Sequence, residues 1–318
     1  MSGELILQNL CSPIVLAFVL GAIATLVRSD LKIPEQIYSA LSVYLLLAIG
    51  LKGGVELSNT SFSQVAWPML GTLALGVLIP LVAFAVLRRK FDRANAAAIA
   101  AHYGSVSAVT YMAAVAFATR AGDNPEGFMP ALVAILEVPA IIIALLLARK
   151  QGSRDLGPAL AEIVSGKSVI LLVGGLIMGL AAGEKGFAPV APVFKGAFSG
   201  LLVIFLLEMG MVAARRFGDV KRVGGFLVTF AILAPIAQGA LGVLVGHWCG
   251  LGPGGCTILG AMAASASYIA APAAVRVGIP EANPSLSLTA ALGITFPFNL
   301  SLGLPLYHLM AVALSQRS

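Results

Sequence analysis

The chain has 318 residues, of which 59% are hydrophobic and only 11% are charged, and its mean hydropathy is +0.97. A soluble domain carries about 25% charged residues, so this composition excludes an ordinary water-soluble fold and indicates a protein that crosses the membrane many times. The net charge of +6 comes from short basic clusters between apolar runs, a pattern typical of topology signals and not of nucleic-acid binding.

Ten apolar runs follow one another along the chain, each long enough to cross a bilayer as a helix. They fall at 9–27, 34–57, 65–87, 94–119, 127–149, 167–183, 192–214, 223–247, 254–277 and 285–314. The first residues lack the basic segment of a cleaved signal, so the first run is expected to remain in the mature protein. The sequence therefore predicts an all-α membrane protein with ten transmembrane helices.

The basic residues predict how these spans are oriented. With the N-terminus outside, fifteen Lys and Arg residues fall in cytoplasmic connections and five in outer ones. Basic connections remain preferentially in the cytoplasm, so both termini are expected on the periplasmic side of a bacterial inner membrane. The longest polar connection, residues 150–166, is then a cytoplasmic linker.

Matching landmarks divide the chain into two halves, residues 1–149 and 167–318. Gly50 in LLAIGLKGG corresponds to Gly210 in LLEMGMVAA, and YGSVSAVTY precedes ASASYIAAP by about 160 residues. Two Asn-Pro pairs recur at an offset of 159, and the prolines of LEVPA and TFPFN at 158. Because each half holds five spans, the halves must insert in opposite senses, which predicts the inverted repeats of secondary transporters.

Two serine segments occupy equivalent positions in the fourth and ninth spans. They contain Ser105 and Ser107 in the first half, and Ser265 and Ser267 in the second. Positions i and i+2 do not share a helix face, so the spacing favours unwound segments where hydroxyl and backbone N–H groups converge. Half-helix N-termini there would present partial positive charge to an anion at the bilayer midplane. The alternative is that the small residues only permit close helix crossing.

Few ionisable side chains lie inside the spans. Glu137 lies mid-span beside Pro139, and a buried carboxylate in that position predicts a functional site. The equivalent region of the second half offers Thr295 and Asn299. These oxygen ligands together suit a hard cation such as sodium, but they do not identify the ion. The alternative is a protonated Glu137 that is hydrogen-bonded inside the bundle.

The remaining ionisable residues support less specific predictions. Glu208 is the second mid-span acid, and it either lines a pathway or neutralises the nearby Arg215 and Arg216. His102 is either a proton sensor or a structural histidine. The sequence holds no metal-ligand spacing, nucleotide loop or HExxH motif, so the chain is expected neither to be an enzyme nor to use ATP.

Several longer motifs resemble those of one family, the sodium-dependent bicarbonate transporters first associated with cyanobacteria. They are KIPEQIYSALSVYLLLAIGLKGGVEL, GSVSAVTYMAA, LEVPAI, EMGMVAARR and the long stretch ASASYIAAPAAVRVGIPEANPSLSLTAALGITFPFNLSLGLPLY. The resemblance covers nearly the whole chain. It implies two inverted five-helix repeats, with a gate domain from spans 1, 2, 6 and 7. Spans 3–5 and 8–10 would form a core domain that moves as an elevator.

The resemblance also implies which residues surround the ligands. The substrate-binding residues would be Gly104, Ser105, Ser107, Thr110, Ser265, Ser267 and Tyr268. Glu137 stands where the family has an Asp, which preserves a carboxylate. Sodium, as co-substrate, would lie near Glu137, with Thr295 and Asn299 as further ligands.

The chain departs from the family pattern at the site itself. Cyanobacterial members read SSSDISGPP where this chain reads SASYIAAPA, so Tyr268 replaces an acid and Ala270 a serine. Val212 stands where an acid is usual, although Glu208 is near it. The central linker is also much shorter, which weighs against regulation by a small trimeric PII-like protein.

The sequence thus predicts a secondary active transporter that takes up bicarbonate or a similar small anion together with sodium. Its expected partners are the anionic substrate, the lipid bilayer and further copies of the chain, with a trimer as one form of the homo-oligomer; nucleic acid is not expected. The alternatives are a transporter of another small carboxylate or anion without sodium coupling and, from a different class, a channel.

Overall fold

A computed structural model describes residues 2–149 and 157–316, and the regular secondary structure of these residues is entirely helical. In chain order the helices are α1 (Ser2–Leu10), α2 (Pro13–Leu26), α3 (Glu35–Ser58), α4 (Phe62–Leu87), α5 (Arg93–Gly104), α6 (Ala108–Arg120), α7 (Met129–Glu137), α8 (Pro139–Ala148), α9 (Gly157–Val164), α10 (Lys167–Phe187), α11 (Phe198–Val220), α12 (Gly225–Trp248), α13 (Pro253–Ala263), α14 (Ala270–Gly278) and α15 (Pro284–Ser315). The first part of the predicted linker, 150–156, lies outside the described residues, and the rest contains α9.

Among the described residues, seven helical stretches are long and apolar enough to cross a membrane: α3, α4, α7 with α8, α10, α11, α12 and α15. The pair α1 and α2, bent by 59°, adds an eighth if it forms one span. The predicted spans 94–119 and 254–277 coincide with two broken pairs of shorter helices, α5 with α6 and α13 with α14. The all-helical, multi-pass character is confirmed, and the count of ten spans stays a prediction.

Local sequence explains where several helices begin. Ser12 accepts a hydrogen bond from the Val15 amide at 3.3 Å at the start of α2. Asp92 accepts one from the Asn95 amide at 2.9 Å at the start of α5, and this bond holds the pKa of the Asp92 carboxyl below its usual value. Asn283 caps α15 in the same way. Side-chain caps therefore set helix starts in both halves of the sequence.

Helix α10 differs from the other spans in its surroundings. Only 17% of its apolar stretch is buried, against 61% for α3, so most of the surface of α10 is not covered by the described residues of the chain. Large aromatic side chains, Phe62, Trp67 and Trp248, are exposed in the first turns of α4 and at the end of α12. Tryptophans are enriched at membrane–water interfaces.

Helices α2, α3, α10 and α11 form one group, in which the two halves of the sequence are intermixed. Helix α3 packs along α10, and α2 packs along α11. Glycines make both contacts: a Cβ atom on Gly50 would lie 2.6 Å from the Leu172 carbonyl oxygen, and one on Gly210 would lie 2.0 Å from that of Phe18. Since no side chain fits in these gaps, backbone packs directly on backbone.

Helices α4 to α8 and α12 to α15 pack beside this group. Helix α4 contacts α5, α7 and α8 in the first half, and α12 contacts α13 and α15 in the second. Helix α15 is irregular, because the stretches Thr289–Thr295 and Asn299–Gly303 are π-helical. Bulges of this kind are frequent near functional sites, and here they flank the Phe-Pro-Phe segment of TFPFN.

Candidate functional site

Two interrupted helices meet in the middle of the molecule. Helix α5 ends at Gly104, and α6 begins only after the extended residues Ser105, Val106 and Ser107. Helix α13 ends at Ala263, and α14 begins after a longer unwound stretch that includes Ser265 and Ser267. Both serine segments are thus unwound, as their spacing predicts.

Hydrogen bonds join the two unwound segments directly. The Ser107 amide donates to the Ser265 hydroxyl oxygen at 2.8 Å, and that hydroxyl donates to the Met262 carbonyl at 2.7 Å. In the opposite direction, the Ser267 amide donates to the His102 carbonyl at 2.7 Å. Two pairs of residues, Ser107 with Ser265 and His102 with Ser267, thus join segments about 160 positions apart in sequence. We call this contact the serine crossing.

The remaining residues predicted around the anion support this crossing. The Ser107 hydroxyl also accepts from the Thr110 amide at 3.2 Å, which caps α6. Ser105 turns away and donates to the Glu137 carbonyl at 2.9 Å. Gly104 packs against Pro80 and Ala140, whose atoms would lie within 2.8 Å of any Cβ there. These three residues shape the site without lining the cavity described next.

A small cavity of about 10 Å³ lies against the crossing. It is lined by Leu46, Val106, Ser107, Ala108, Glu137, Ser168, Ser267, Tyr268 and Ile269. This volume corresponds to roughly one water molecule. The cavity wall is formed by residues at the start of α6 and residues just before α14. Glu137 of α7, Leu46 of α3 and Ser168 of α10 complete it.

Glu137 is the charged residue of this cavity. Its side chain is 3% exposed, and its Oε2 atom has no hydrogen-bond partner among the described residues. Ser168, at the start of α10, faces the carboxylate from the other group of helices. An unpaired carboxylate in such a position needs either a proton or a cation, because burying its charge alone is costly.

Tyr268 forms an aromatic side of the same cavity. Its ring packs edge to face against Phe296 at a centroid distance of 5.7 Å. Its hydroxyl lies near Ser107 but finds no hydrogen-bond partner of good geometry in the described chain. A buried hydroxyl without a partner is available to a ligand in the cavity.

Thr295 and Asn299 lie elsewhere. The Thr295 hydroxyl donates to the Ala231 carbonyl at 2.7 Å and is 2.6 Å from the Tyr103 hydroxyl. The Asn299 amide nitrogen donates to the Ala264 carbonyl at 2.8 Å. Both side chains are fully buried, and neither lines the cavity with Glu137. Asn299 instead holds the chain immediately before Ser265 in place.

The two other ionisable candidates are also separate from the cavity. His102 contributes its backbone carbonyl to the crossing, while its ring is buried. Glu208 is buried in α11 near Tyr38, and it does not line the cavity. Sequence reasoning missed Ser168 and Leu46, which come from distant helices; only a known fold would have pointed to them.

The chain was compared with known protein families. Residues 13–312 match the profile described as the Na⁺-dependent bicarbonate transporter superfamily. No curated protein sequence matches the chain. The match covers both unwound segments, Glu137 and Tyr268.

Proposed function

The chain belongs to the Na⁺-dependent bicarbonate transporter superfamily, and from this premise we propose a secondary active transporter that takes up bicarbonate, or a similar small anion, with sodium. The observation that carries the proposal is the serine crossing with its polar cavity between two groups of helices. Polar groups at mid-membrane are costly unless they serve a ligand, so their concentration here supports a transport site.

The anion would occupy the cavity at the serine crossing. This space is bordered by Ser107 and Ser267, by the start of α6 and the residues just before α14, and by the Tyr268 hydroxyl, which has no hydrogen-bond partner among the described residues. Hydroxyl groups and helix N-termini favour a negatively charged ligand. The cavity must enlarge to admit bicarbonate, because it now has room for about one water molecule.

Sodium would bind beside Glu137. The carboxylate supplies charge, and the neighbouring hydroxyls, including Ser168, supply further oxygen ligands of the kind hard cations prefer. In this proposal Asn299 supports the crossing through its hydrogen bond to the Ala264 carbonyl, while Thr295 bonds to the Ala231 carbonyl of α12. Neither side chain is a direct sodium ligand in this proposal.

Transport would follow an elevator mechanism across the inner membrane. Helices α2, α3, α10 and α11 would form the fixed gate domain, and the remaining spans the moving core. The matched glycine contacts of Gly50 and Gly210 support the division into inverted repeats at 1–149 and 167–318. The position of the cavity between the two groups supports alternating exposure by their relative movement.

The test is uptake of radiolabelled bicarbonate into proteoliposomes with and without an inward sodium gradient. We expect saturable uptake that the gradient stimulates. Non-saturating flux that is indifferent to sodium would contradict a coupled transporter and favour a channel.

A second candidate is uptake of a small carboxylate without sodium coupling. Tyr268 favours it, because an aromatic ring now borders the site where the family has an acid. Competition by formate or acetate that is stronger than competition by bicarbonate, and unaffected by sodium, would identify this alternative.

A further inference from the structure

A cavity of about 210 Å³ lies between α1 and the end of α6, and it shares no lining residue with the cavity at the serine crossing. Its lining consists of Leu5, Gln8 and Asn9 from α1 and of Phe117, Arg120 and Ala121 from the end of α6. Pockets that enclose a drug-sized molecule measure about 300–1,000 Å³. This cavity therefore has room for a small group or for one part of a larger molecule.

Contacts with α15 hold both walls of this cavity in place. On the first wall, the Asn9 amide nitrogen donates to the Leu300 and Ser301 carbonyls at 2.9 and 3.1 Å. On the second wall, the Phe117 ring packs edge to face against His308 at a centroid distance of 5.6 Å. The cavity is thus a defined feature of the fold, because the short helix α1 is anchored to its neighbour by hydrogen bonds.

Arg120 is the charged residue of the lining, and none of the described lining residues is a carboxylate. Within the described chain, its guanidinium makes no hydrogen bond and has no carboxylate oxygen within 4.0 Å. The acids closest to the lining in sequence are placed differently: Asp123 lies 3.2 Å from His308 Nδ1, and Glu4 is exposed on α1. The five N–H donors of Arg120 are therefore available to a ligand.

The position of the cavity along the bilayer normal follows from its two helices. Arg120 is the last residue of α6, and the polar sequence AGDNPEG comes next, so the guanidinium lies where the chain leaves the apolar layer. Leu7 and Leu10 lie on the face of α1 opposite the cavity and are 62% and 36% exposed, which is favourable in lipid and costly in water. The cavity therefore borders both the acyl chains and the phosphate layer of the membrane.

We propose that this cavity binds the headgroup of an anionic phospholipid of the phosphatidylglycerol type, whose phosphate accepts paired N–H bonds from Arg120. Such bidentate bonds are among the strongest that a guanidinium makes. The Gln8 amide lies in position to bond the glycerol hydroxyls, whereas a choline headgroup offers no donor and carries a cation toward Arg120. Leu5 and Phe117 contact the apolar part of the lipid, and the acyl chains remain in the bilayer, so a cavity of this size is sufficient.

The experiment measures the lipids that the purified protein retains in detergent after incubation with equal amounts of phosphatidylglycerol and phosphatidylcholine, counted by native mass spectrometry. We expect the wild type to retain phosphatidylglycerol in preference. Arg120→Gln should bind it about tenfold more weakly, which is the effect of losing one hydrogen bond to a charged group. Lys185→Gln is the matched control, since it removes an exposed cation that does not line the cavity. Glu4→Gln should also leave the preference unchanged.

Equal retention by Arg120→Gln and the wild type would overturn the proposal, as would an equal loss in Lys185→Gln, which would show only a general attraction of anionic lipid.

Thermal unfolding in detergent gives a second measurement. Phosphatidylglycerol should raise the melting temperature of the wild type but not that of Arg120→Gln, and without lipid the two should melt together. A lower melting temperature of the lipid-free variant would mean that Arg120 has its partner within the chain, which contradicts a lipid site. Stabilisation by millimolar inorganic phosphate but not by phosphatidylglycerol would assign the cavity to a free anion and would equally overturn the proposal.

Discussion

The two halves of the sequence meet in two different kinds of helix crossing. Where α3 meets α10 and α2 meets α11, continuous helices touch backbone to backbone at glycines. At the serine crossing, interrupted helices are joined by hydrogen bonds between amides, hydroxyls and carbonyls. Backbone packing at glycines is the main contact of the first region, where Thr25 also donates to the Met211 carbonyl at 3.4 Å, whereas polar groups are concentrated in the second.

The glycine contacts should be the most sensitive to added volume. We expect Gly179→Ala to destabilise the protein by about 2 kcal/mol or more, because the new Cβ would lie 2.2 Å from the Leu51 carbonyl oxygen. The measurement is thermal unfolding in detergent. Gly174→Ala on the same helix is the matched control, since nothing lies within 4 Å of its Cβ position. Equal melting temperatures for the two variants would contradict direct backbone packing.

Removing one hydroxyl should weaken the serine crossing by a smaller amount. Ser265→Ala leaves the buried Ser107 amide without its acceptor, which should cost about 1–2 kcal/mol of stability. Ser165→Ala serves as the control, because its exposed hydroxyl bonds only to the Ala161 carbonyl in its own turn. If shape complementarity alone held the crossing, Ser265→Ala and Ser165→Ala would change the stability of the protein equally.

Glu137→Gln should abolish sodium coupling of uptake without affecting folding. The amide keeps the shape of the side chain and removes its charge, so we expect an unchanged melting temperature and complete loss of sodium-stimulated uptake. Glu208→Gln, another buried acid that lies outside the cavity, should retain the stimulation. Should Glu137→Gln respond to sodium as the wild type does, the role of Glu137 as a sodium ligand would have to be abandoned.

The smallest effect is expected from Tyr268→Phe. Its hydroxyl has no partner of good geometry in the described chain, so deletion should leave stability unchanged. If the hydroxyl binds the anion, KM should rise by about threefold to tenfold, which is the worth of one ordinary hydrogen bond. Uptake kinetics over a range of anion concentrations give the answer, and an unchanged KM would place the anion away from Tyr268.

Sequence analysis was most successful for features that depend on residues close together in the chain. Paired serines two residues apart predict an unwound helix, and both segments are unwound, because that spacing does not suit one helix face. Ser107 and Ser267, which occupy repeated positions in the two halves, both line the cavity, and Tyr268 and Glu137 lie beside them.

Other features depend on contacts between distant parts of the chain. Thr295 and Asn299 were expected beside Glu137 because their oxygens suit sodium. In the fold, the Thr295 hydroxyl contacts the Tyr103 hydroxyl, and the Asn299 amide donates to the Ala264 carbonyl. No local sequence pattern pairs these groups. Ser168 shows the converse case, since an ordinary serine becomes part of the cavity only because α10 packs against α3.

The pairing of α3 with α10 has a consequence for how the protein is made. The glycine face of α3 leaves the ribosome well before Gly175 and Gly179, its partners in α10, have been synthesised. At about 5–20 residues per second, that interval lasts on the order of ten seconds. During it, α2 and α3 cannot reach their final neighbours, so they must wait in the membrane or at the insertion machinery. Pairing of the first helices can therefore begin only after α10 and α11 have been made, late in synthesis, however early α2 and α3 are inserted.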